Sequence, residues 1–177
     1  MGKSPLIYVG EMTSPIGTLT VGCIDEGVCY IAFGSIQEVE LQMKAWASKV
    51  LLYSDIVHDT EHTSEPIRQL QEYFAGERQT FTVPICLKGT PFQKKVWHAL
   101  QDIGYGETRS YKEIAEAIGN PKAVRAVGGA NNKNPVSILI PCHRVVGSNG
   151  ALVGYGGGLD KKEILLDLEK KYLAAAE

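Results

Sequence analysis

The chain has 177 residues, 44% of them hydrophobic and 21% charged, with a formal net charge of −2. That length suits one ordinary domain or two small lobes, the balance is that of a globular protein, and no apolar run is long enough to span a bilayer. The start, Met1-Gly2-Lys3-Ser4-Pro5, has no apolar signal core, so export is not expected, and Lys3 and Pro5 fit poorly with a myristoylation start at Gly2.

The first half reads as strands at Leu6 to Met12, Thr18 to Ile24 and Val28 to Phe33. They are separated by the turn signals Ser14-Pro15-Ile16-Gly17 and Asp25-Glu26-Gly27. A helix is predicted over Ile36 to Ala47 and another from Glu65 to Phe74, stopping at Ala75-Gly76; Thr80 to Leu87 reads as one more strand. Cys23, Cys29 and Cys86 fall in strand-like stretches with no CxxC pair, so they read as buried free thiols in a reducing compartment. Nothing in this lobe names a chemistry.

Gly89-Thr90-Pro91 marks a boundary: Thr90 can cap, and Pro91 can occupy the first turn of, a helix running through Ile103. Phe92, Val96, Leu100 and Ile103 recur at helical spacing as its core face, and Trp97 and His98 share the helix. Ser110 caps a helix from Tyr111 to Ile118, with Glu113 placed for a capping box. Gly119-Asn120-Pro121 turns the chain into a second short helix, Lys122 to Asn132, which gives a helix-turn-helix pattern. Two glycines in that second helix each cost about 1 kcal/mol relative to alanine. They make sense where another backbone or a DNA groove must come close, and Arg125 is the one long charged side chain rising from the helix. Between Arg109 and Arg144 six basic residues face only Glu113 and Glu116. Such a stretch fits phosphate binding or a solvated helix face.

The apolar run Val136-Ser137-Ile138-Leu139-Ile140 reads as a strand that presents Cys142, directly after Pro141, at its end. His143 follows at once. Neighbours in a strand point to opposite faces, so a turn or a bridging water would be needed to couple thiol and imidazole. A free thiol titrates near 8.5 and needs a base or positive surroundings to act as a nucleophile. Glu169, at the edge of an apolar stripe of Ile164, Leu165, Leu168 and Tyr172 in a last helix from about Asp160, is the candidate third group. The glycine-rich segment Gly154-Tyr155-Gly156-Gly157-Gly158 lacks nucleotide-loop spacing and reads as the wall of a pocket.

Asn134-Pro135-Val136-Ser137-Ile138-Leu139-Ile140-Pro141-Cys142-His143-Arg144-Val145-Val146-Gly147 resembles the active-site motif of the O6-alkylguanine-DNA alkyltransferases. The resemblance continues through Gly106 to Tyr111, Gly119 to Asn131 and Gly154 to Gly157. It covers residues 89 to about 172 closely, and the first half more loosely, with Ser14-Pro15-Ile16-Gly17 as its landmark. It implies an α+β fold: a ribonuclease H-like sheet-and-helix lobe over residues 1–88 and a mainly helical domain over residues 89–177 that binds DNA and accepts the alkyl group.

Further implications concern function. The resemblance implies a cytoplasmic protein (nuclear in a eukaryote), monomeric, without a membrane segment or cofactor, acting on double-stranded DNA that contains O6-alkylguanine, with O4-alkylthymine a possible second lesion. The helix-turn-helix would enter the minor groove, and the damaged nucleotide would rotate into a pocket. Ala123, Ala126 and Gly128 would let the helix lie close to the groove floor, Arg125 would fill the gap in the stack, and Asn120, Lys122 and Ser148 match positions near the DNA backbone. Cys142 would take the alkyl group once, as a thioether. His143 would receive its proton through a water, Glu169 would fix the imidazole tautomer, and Tyr111 would protonate the purine. The Gly156 amide, beside Tyr155, would donate to O6, the carbonyls of Cys142 and Val145 would accept the exocyclic amine, and Asn134 would tie the helix to the active-site turn. Two departures stand out: Ser137 replaces a second proline of some relatives and Gly156 replaces a serine, both suggesting a roomier pocket. Relatives with a structural zinc use Cys and His in the first lobe; only Cys29 falls near such a position here, Cys23 is out of register, and no zinc is expected. A lesion-binding module without chemistry and a cysteine hydrolase are the competing classes, separated by whether Cys142 is alkylated and whether the protein turns over.

Overall fold

A tight turn at Ser14–Gly17, closed by backbone bonds of 3.0 Å in both directions and by the Ser14 hydroxyl on the Gly17 carbonyl at 2.7 Å, folds the first apolar run back on itself. This is a feature of the computed structural model, which describes residues 5–176. Residues 1–4, read above for targeting signals, lie outside the described residues, as does Glu177. The chain divides into two units, Met1–Lys88 and Gly89–Glu177.

In the first unit β1 (Ile7–Met12), β2 (Leu19–Ile24) and β3 (Gly27–Phe33) form an antiparallel meander, and β4 (Ile56–His58) joins parallel to β1, giving the order β3-β2-β1-β4. Every residue of β2 is buried, which fits its apolar and β-branched content. Helix α1 (Ile36–Val50) starts at a capping box of Ser35 and Glu38 and packs Ile36, Val39, Met43 and Ala47 onto Ile7, Val9 and Tyr30. Each large side chain so buried contributes about 1.5–3 kcal/mol. Helix α2 (Ser64–Phe74) buries Leu70, Tyr73 and Phe74.

Three differences from the sequence reading have local causes. Helix α1 runs on to Val50. The strand β4 was not anticipated, because three residues are too few to display an alternation. The strand expected at Thr80 to Leu87 reduces to a single bridge between Val28 and Ile85. Its donors are used elsewhere: the Thr82 amide goes to the Gln69 side chain at 2.9 Å, and Pro84 has no N–H to give.

In the second unit α3 (Pro91–Leu100) begins at the Thr90–Gln93 capping box and ends one turn before Ile103, which is buried all the same. Its packed face is Val96, Trp97 and Leu100; Trp97 donates to the Ala130 carbonyl at 2.9 Å, Phe92 is half-buried and His98 is exposed. Strand β5 (Arg109–Ser110) pairs parallel with β6 (Val145–Val146). Ser110 then caps α4 (Tyr111–Ala117), and Gly119 at φ +79° turns the chain toward α5 (Val124–Asn132). Helix α6 (Leu159–Ala175) closes the unit. The expected strand over Val136 to Ile140 does not form. That segment is a tight turn with Ile138 at φ +75°, and it leads into a single 3-10 turn at Cys142–Arg144.

Gly27 tests the close approach in the first unit: it sits at φ +141°, and a Cβ there would lie 2.5 Å from the Pro84 carbonyl oxygen. Gly27→Ala should therefore lower stability by about 1–3 kcal/mol, read as a lower urea midpoint in far-UV circular dichroism; an unshifted midpoint would mean that the 84–86 segment yields freely.

Candidate active site

The 3-10 turn aims Cys142 inward. The thiol residue is only 4% exposed, so it is not displayed at a strand end as its sequence context suggested. The turn is pinned by polar side chains. The Asn134 side chain donates to the Ile140 carbonyl at 2.8 Å and accepts from the Val136 amide at 3.0 Å, while Asn131, at the end of α5, donates to the Cys142 carbonyl at 3.4 Å. Asn134 thus braces the turn itself, and it is Asn131 that links the helix to the cysteine. The Cys142 carbonyl, expected to read an exocyclic amine, already holds that one donor and keeps a second lone pair.

Behind the thiol lies a buried ion cluster. His143 Nε2 is 2.6 Å from Glu169 Oε2, and both side chains are fully buried. A carboxylate only accepts, so Nε2 carries the proton and Nδ1 is left as the basic nitrogen. Nδ1 has no hydrogen-bond partner among the described residues, and none joins it to Cys142. Arg144 donates to Glu169 from Nε at 2.8 Å and from Nη2 at 3.0 Å, and to the Ile103 carbonyl from Nη1 at 2.7 Å; the Gly106 amide reaches Glu169 at 3.1 Å. Burial pushes the Glu169 carboxyl up, but His143 and Arg144 overcome this and hold it at about 2. Burial lowers the basicity of His143 against the pull of Glu169.

Burial also raises the Cys142 thiol; side-chain hydrogen bonds from Asn134 and Ser137 and the charge of Lys162 act the other way. Lys162 is fully buried, donates to the Val153 and Gly154 carbonyls at 3.1 Å each, and lies 5.8 Å from the centre of the Tyr111 ring. Burial brings it down to about 8. The Tyr111 hydroxyl donates to the Val153 carbonyl at 2.6 Å, so the expected purine donor is engaged with the glycine-rich loop in this structure.

The structure therefore brings Cys142, His143, Glu169, Asn134, Tyr111 and Tyr155 into one unit, with Val145 directly after the turn and Gly156 exposed on the loop. Sequence reasoning missed Lys162, Arg144 and Asn131. The first had a usable signal: Lys162, Leu165 and Glu169 follow helical spacing, and they are the buried face of α6. Ile164, assigned to the apolar stripe, is 39% exposed. Glu169 lies in the middle of the buried face, not at its edge.

The other named residues lie on the helix-turn-helix surface. Asn120, Lys122, Arg125 and Ala126 are exposed, as is Ser148, while Ala123 is half-buried. Arg125 has no ion-pair or hydrogen-bond partner among the described residues. Gly128 is half-buried, and a Cβ there would meet the Tyr111 ring at 3.9 Å, an ordinary contact, while Gly129 opens to solvent. Cys23 and Cys29 are buried free thiols pushed upward by burial, Cys23 to about 12, which leaves them unreactive. Among the described residues no three His, Cys, Asp or Glu are grouped to hold a metal ion, and no helix is long and apolar enough to cross a membrane.

A buried cysteine braced from behind by a helix-turn-helix defines the class: a DNA-binding fold built around a thiol site. Two family models match the chain, the ribonuclease-like domain of 6-O-methylguanine DNA methyltransferase over residues 7–87 and its DNA binding domain over residues 91–171. A constitutive methylated-DNA--protein-cysteine methyltransferase of Bacillus subtilis is 55% identical, covering 92% of this chain and 95% of that protein. A Methanosarcina acetivorans protein of the same name is 49% identical over 92% and 98%. The crystal structure of Mycobacterium tuberculosis OGT in complex with DNA superimposes with a TM-score of 0.79 at 41% identity, covering 94% of each chain. The chain belongs to the 6-O-methylguanine DNA methyltransferase family.

The Glu169 cluster makes a pH prediction. A carboxyl held at about 2, below its ordinary 4.5, adds stability that is present above pH 4.5 and is lost as pH falls toward 2. Glu169→Gln, which strands Arg144, should cost about 3–5 kcal/mol at neutral pH, and its gap from the wild type in urea unfolding should narrow on acidification; a gap constant with pH would place the interaction elsewhere.

Proposed function

We propose that this chain repairs DNA by moving an alkyl group from guanine O6 in duplex DNA to Cys142, once per molecule, as a cytoplasmic monomer. In this reading residues 89–177 form the DNA-binding and alkyl-accepting domain, and residues 1–88 the accompanying lobe. The observation that carries it is the buried Cys142 beside the His143–Glu169 pair, on a turn tied through Asn131 to the helix that bears Arg125.

Duplex DNA meets the exposed surface of α5. Ala126 and Gly129 keep that surface low, and the partnerless Arg125 enters the stack in place of the extruded nucleotide, offsetting part of an unstacking cost of a few kcal/mol. Asn120, Lys122 and Ser148 hold the backbone. In the pocket the thiol proton passes through solvent to His143 Nδ1, whose tautomer Glu169 fixes. The sulfur gives its pair to the alkyl carbon, and the carbon–O6 bond breaks with its pair moving onto the purine. Tyr111, exchanging its bond to Val153, supplies the purine's proton and recovers one from solvent. The Gly156 amide donates to O6, the carbonyls of Cys142 and Val145 accept the exocyclic amine, and Tyr155 backs the ring. The thioether formed has no base to cleave it, so the protein does not turn over.

Incubation with a duplex containing O6-methylguanine should add one methyl group to the peptide bearing Cys142, with one equivalent of guanine restored. Cys142→Ala should still bind the duplex and gain nothing. Methylation of Cys23, Cys29 or Cys86 with Cys142 untouched would refute the assignment.

Arg125→Ala should lower the rate on duplex substrate by tenfold or more, since a lost few kcal/mol of flipping support is worth at least that factor. Its reaction with free O6-benzylguanine, followed by the same peptide mass, should stay within about twofold of wild type, a change below 0.5 kcal/mol. Equal losses on both substrates would assign Arg125 to the pocket.

A further inference from the structure

Asn131 enters the site with a side chain only half used. The residue is 1% exposed, on the inner face of α5 beside Val127 and Ala130. Its amide nitrogen donates to the Cys142 carbonyl at 3.4 Å. A carbonyl only accepts, so the nitrogen must face the cysteine turn, and the amide oxygen is left to take a donor. That oxygen, Oδ1, has no hydrogen-bond partner among the described residues. A buried acceptor without a partner is costly, and one kept beside a reactive thiol calls for an explanation in the chemistry of the site.

Its surroundings are the groups assigned to the purine. Side chains in a helix lean toward the N-terminus, so Asn131 lies over the turn that carries Gly128. A Cβ on Gly128 would meet the Tyr111 ring at 3.9 Å, which puts the tyrosine on the same stretch of α5. Burial and then the charge of Cys142 raise the Tyr111 phenol, and the Asn131 side chain works the other way. A group that lowers a phenol in this way donates to it, and a carboxamide donates only through nitrogen, so Oδ1 is not spent there. The glycine-rich loop meets the next residue: a Cβ on Gly154 would lie 3.2 Å from the Asn132 side chain, and one on Gly156 would lie 3.7 Å from the Asn132 carbonyl. Tyr111, the Cys142 carbonyl and the Gly156 loop thus converge on the end of α5 that carries Asn131.

We propose that Asn131 is a further specificity-determining residue of the alkyl-acceptor site: its Oδ1 accepts a hydrogen bond from the exocyclic amine of the extruded guanine. The inference rests on the proposed transfer from guanine O6 to Cys142. The amine has two N–H groups. One meets the Val145 carbonyl. The other faces both the Cys142 carbonyl, which already takes the Asn131 nitrogen, and the open oxygen of that same carboxamide, and is shared between them as a three-centre bond. Lesions differ at this edge. A 6-alkoxypurine without the 2-amino group leaves Oδ1 buried and unpaired, and the ring of O4-alkylthymine carries no N–H at all. A buried polar group left unpaired rejects such analogues more sharply than an apolar wall does. The Tyr111 hydroxyl and the Gly156 amide address acceptor atoms of the base and treat all 6-alkoxypurines alike, so the choice of guanine falls to the acceptors around Asn131.

The test measures single-turnover methyl transfer, read as the mass of the Cys142 peptide, from duplexes bearing O6-methylguanine or O6-methylhypoxanthine, the same base without its 2-amino group. Wild type should react at least about tenfold faster with O6-methylguanine, and Asn131→Leu, which keeps the branching and removes both polar atoms, should lower that preference about tenfold. An equal slowing on both duplexes would leave Asn131 as a brace of the turn alone and overturns its reading of the amine. The crystal structure of Cys142→Ala on the O6-methylguanine duplex gives a second readout that needs no change at Asn131. The amine nitrogen should lie within about 3.2 Å of Oδ1; a longer separation, or a water between the two, overturns the role. A wild type that transfers no methyl group overturns the proposed function instead, whereas transfer at equal rates from the two duplexes leaves that function standing and overturns only the part played by Asn131.

Discussion

The buried carboxylate of Glu169 is the constraint on which the second unit depends. It collects donors from His143 and Arg144 of the 3-10 turn and from the Gly106 amide, two separate stretches of chain. An ionised carboxyl without water is costly unless its lone pairs are filled. Here they are filled well enough to hold it at about 2 despite burial. That single requirement fixes the register of α6 against the 3-10 turn, anchors the Gly106 loop through φ +77°, and orients the imidazole. Arg144 is the part of the Pro-Cys-His-Arg sequence that makes this possible: its fork spans Glu169 and the Ile103 carbonyl, so the turn that follows α3 joins the same cluster.

The same burial that sharpens these bonds works against the nucleophile. A thiol removed from water resists ionisation, and His143, itself pushed toward the neutral form, makes no hydrogen bond through Nδ1 to the sulfur. Two devices answer this. Glu169 makes Nδ1 a base without requiring a standing imidazolium, and a fully buried lysine supplies positive charge to the site. Lys162 also joins the Val153 and Gly154 carbonyls to the helix, so the glycine-rich loop and the electrostatics of the thiol share one side chain. An exposed lysine could do neither, being hydrated and screened.

Helices with clear caps were legible in the sequence: those capped by Thr90 and Ser110 begin where the residues say they should. The meander around Gly17 and Gly27 was equally plain. What failed did so for a shared reason. The segments Thr80 to Leu87 and Val136 to Ile140 carry strand-like residues, but their backbone donors and turns are claimed by Gln69, Asn134 and a left-handed Ile138, partners set by tertiary structure. The Cys142 environment was misjudged on the same account: a strand end implied display, whereas a turn implied burial. Lys162 escaped notice because a lysine is almost never expected to be fully buried, although its spacing from Leu165 and Glu169 placed it on the packed face.

Burial of Cys142 has a consequence for how a base could reach it. The outer face of α5 is open, with Arg125, Ala126 and Gly129 exposed, while its inner face carries Val127, Ala130 and Asn131 into the core. The Trp97 indole holds the Ala130 carbonyl and Asn131 holds the Cys142 carbonyl, so α5 and the turn that carries the sulfur are one braced piece. A sulfur on the far side of that piece cannot meet an atom inside an intact base stack. In the proposed reaction the helix stays in place while the nucleotide swings past it, and a low helix surface bearing Arg125, which has no partner among the described residues, suits a buried thiol. Under the proposed function, a thiol held this rigidly and only 4% exposed takes its target from an extruded nucleotide.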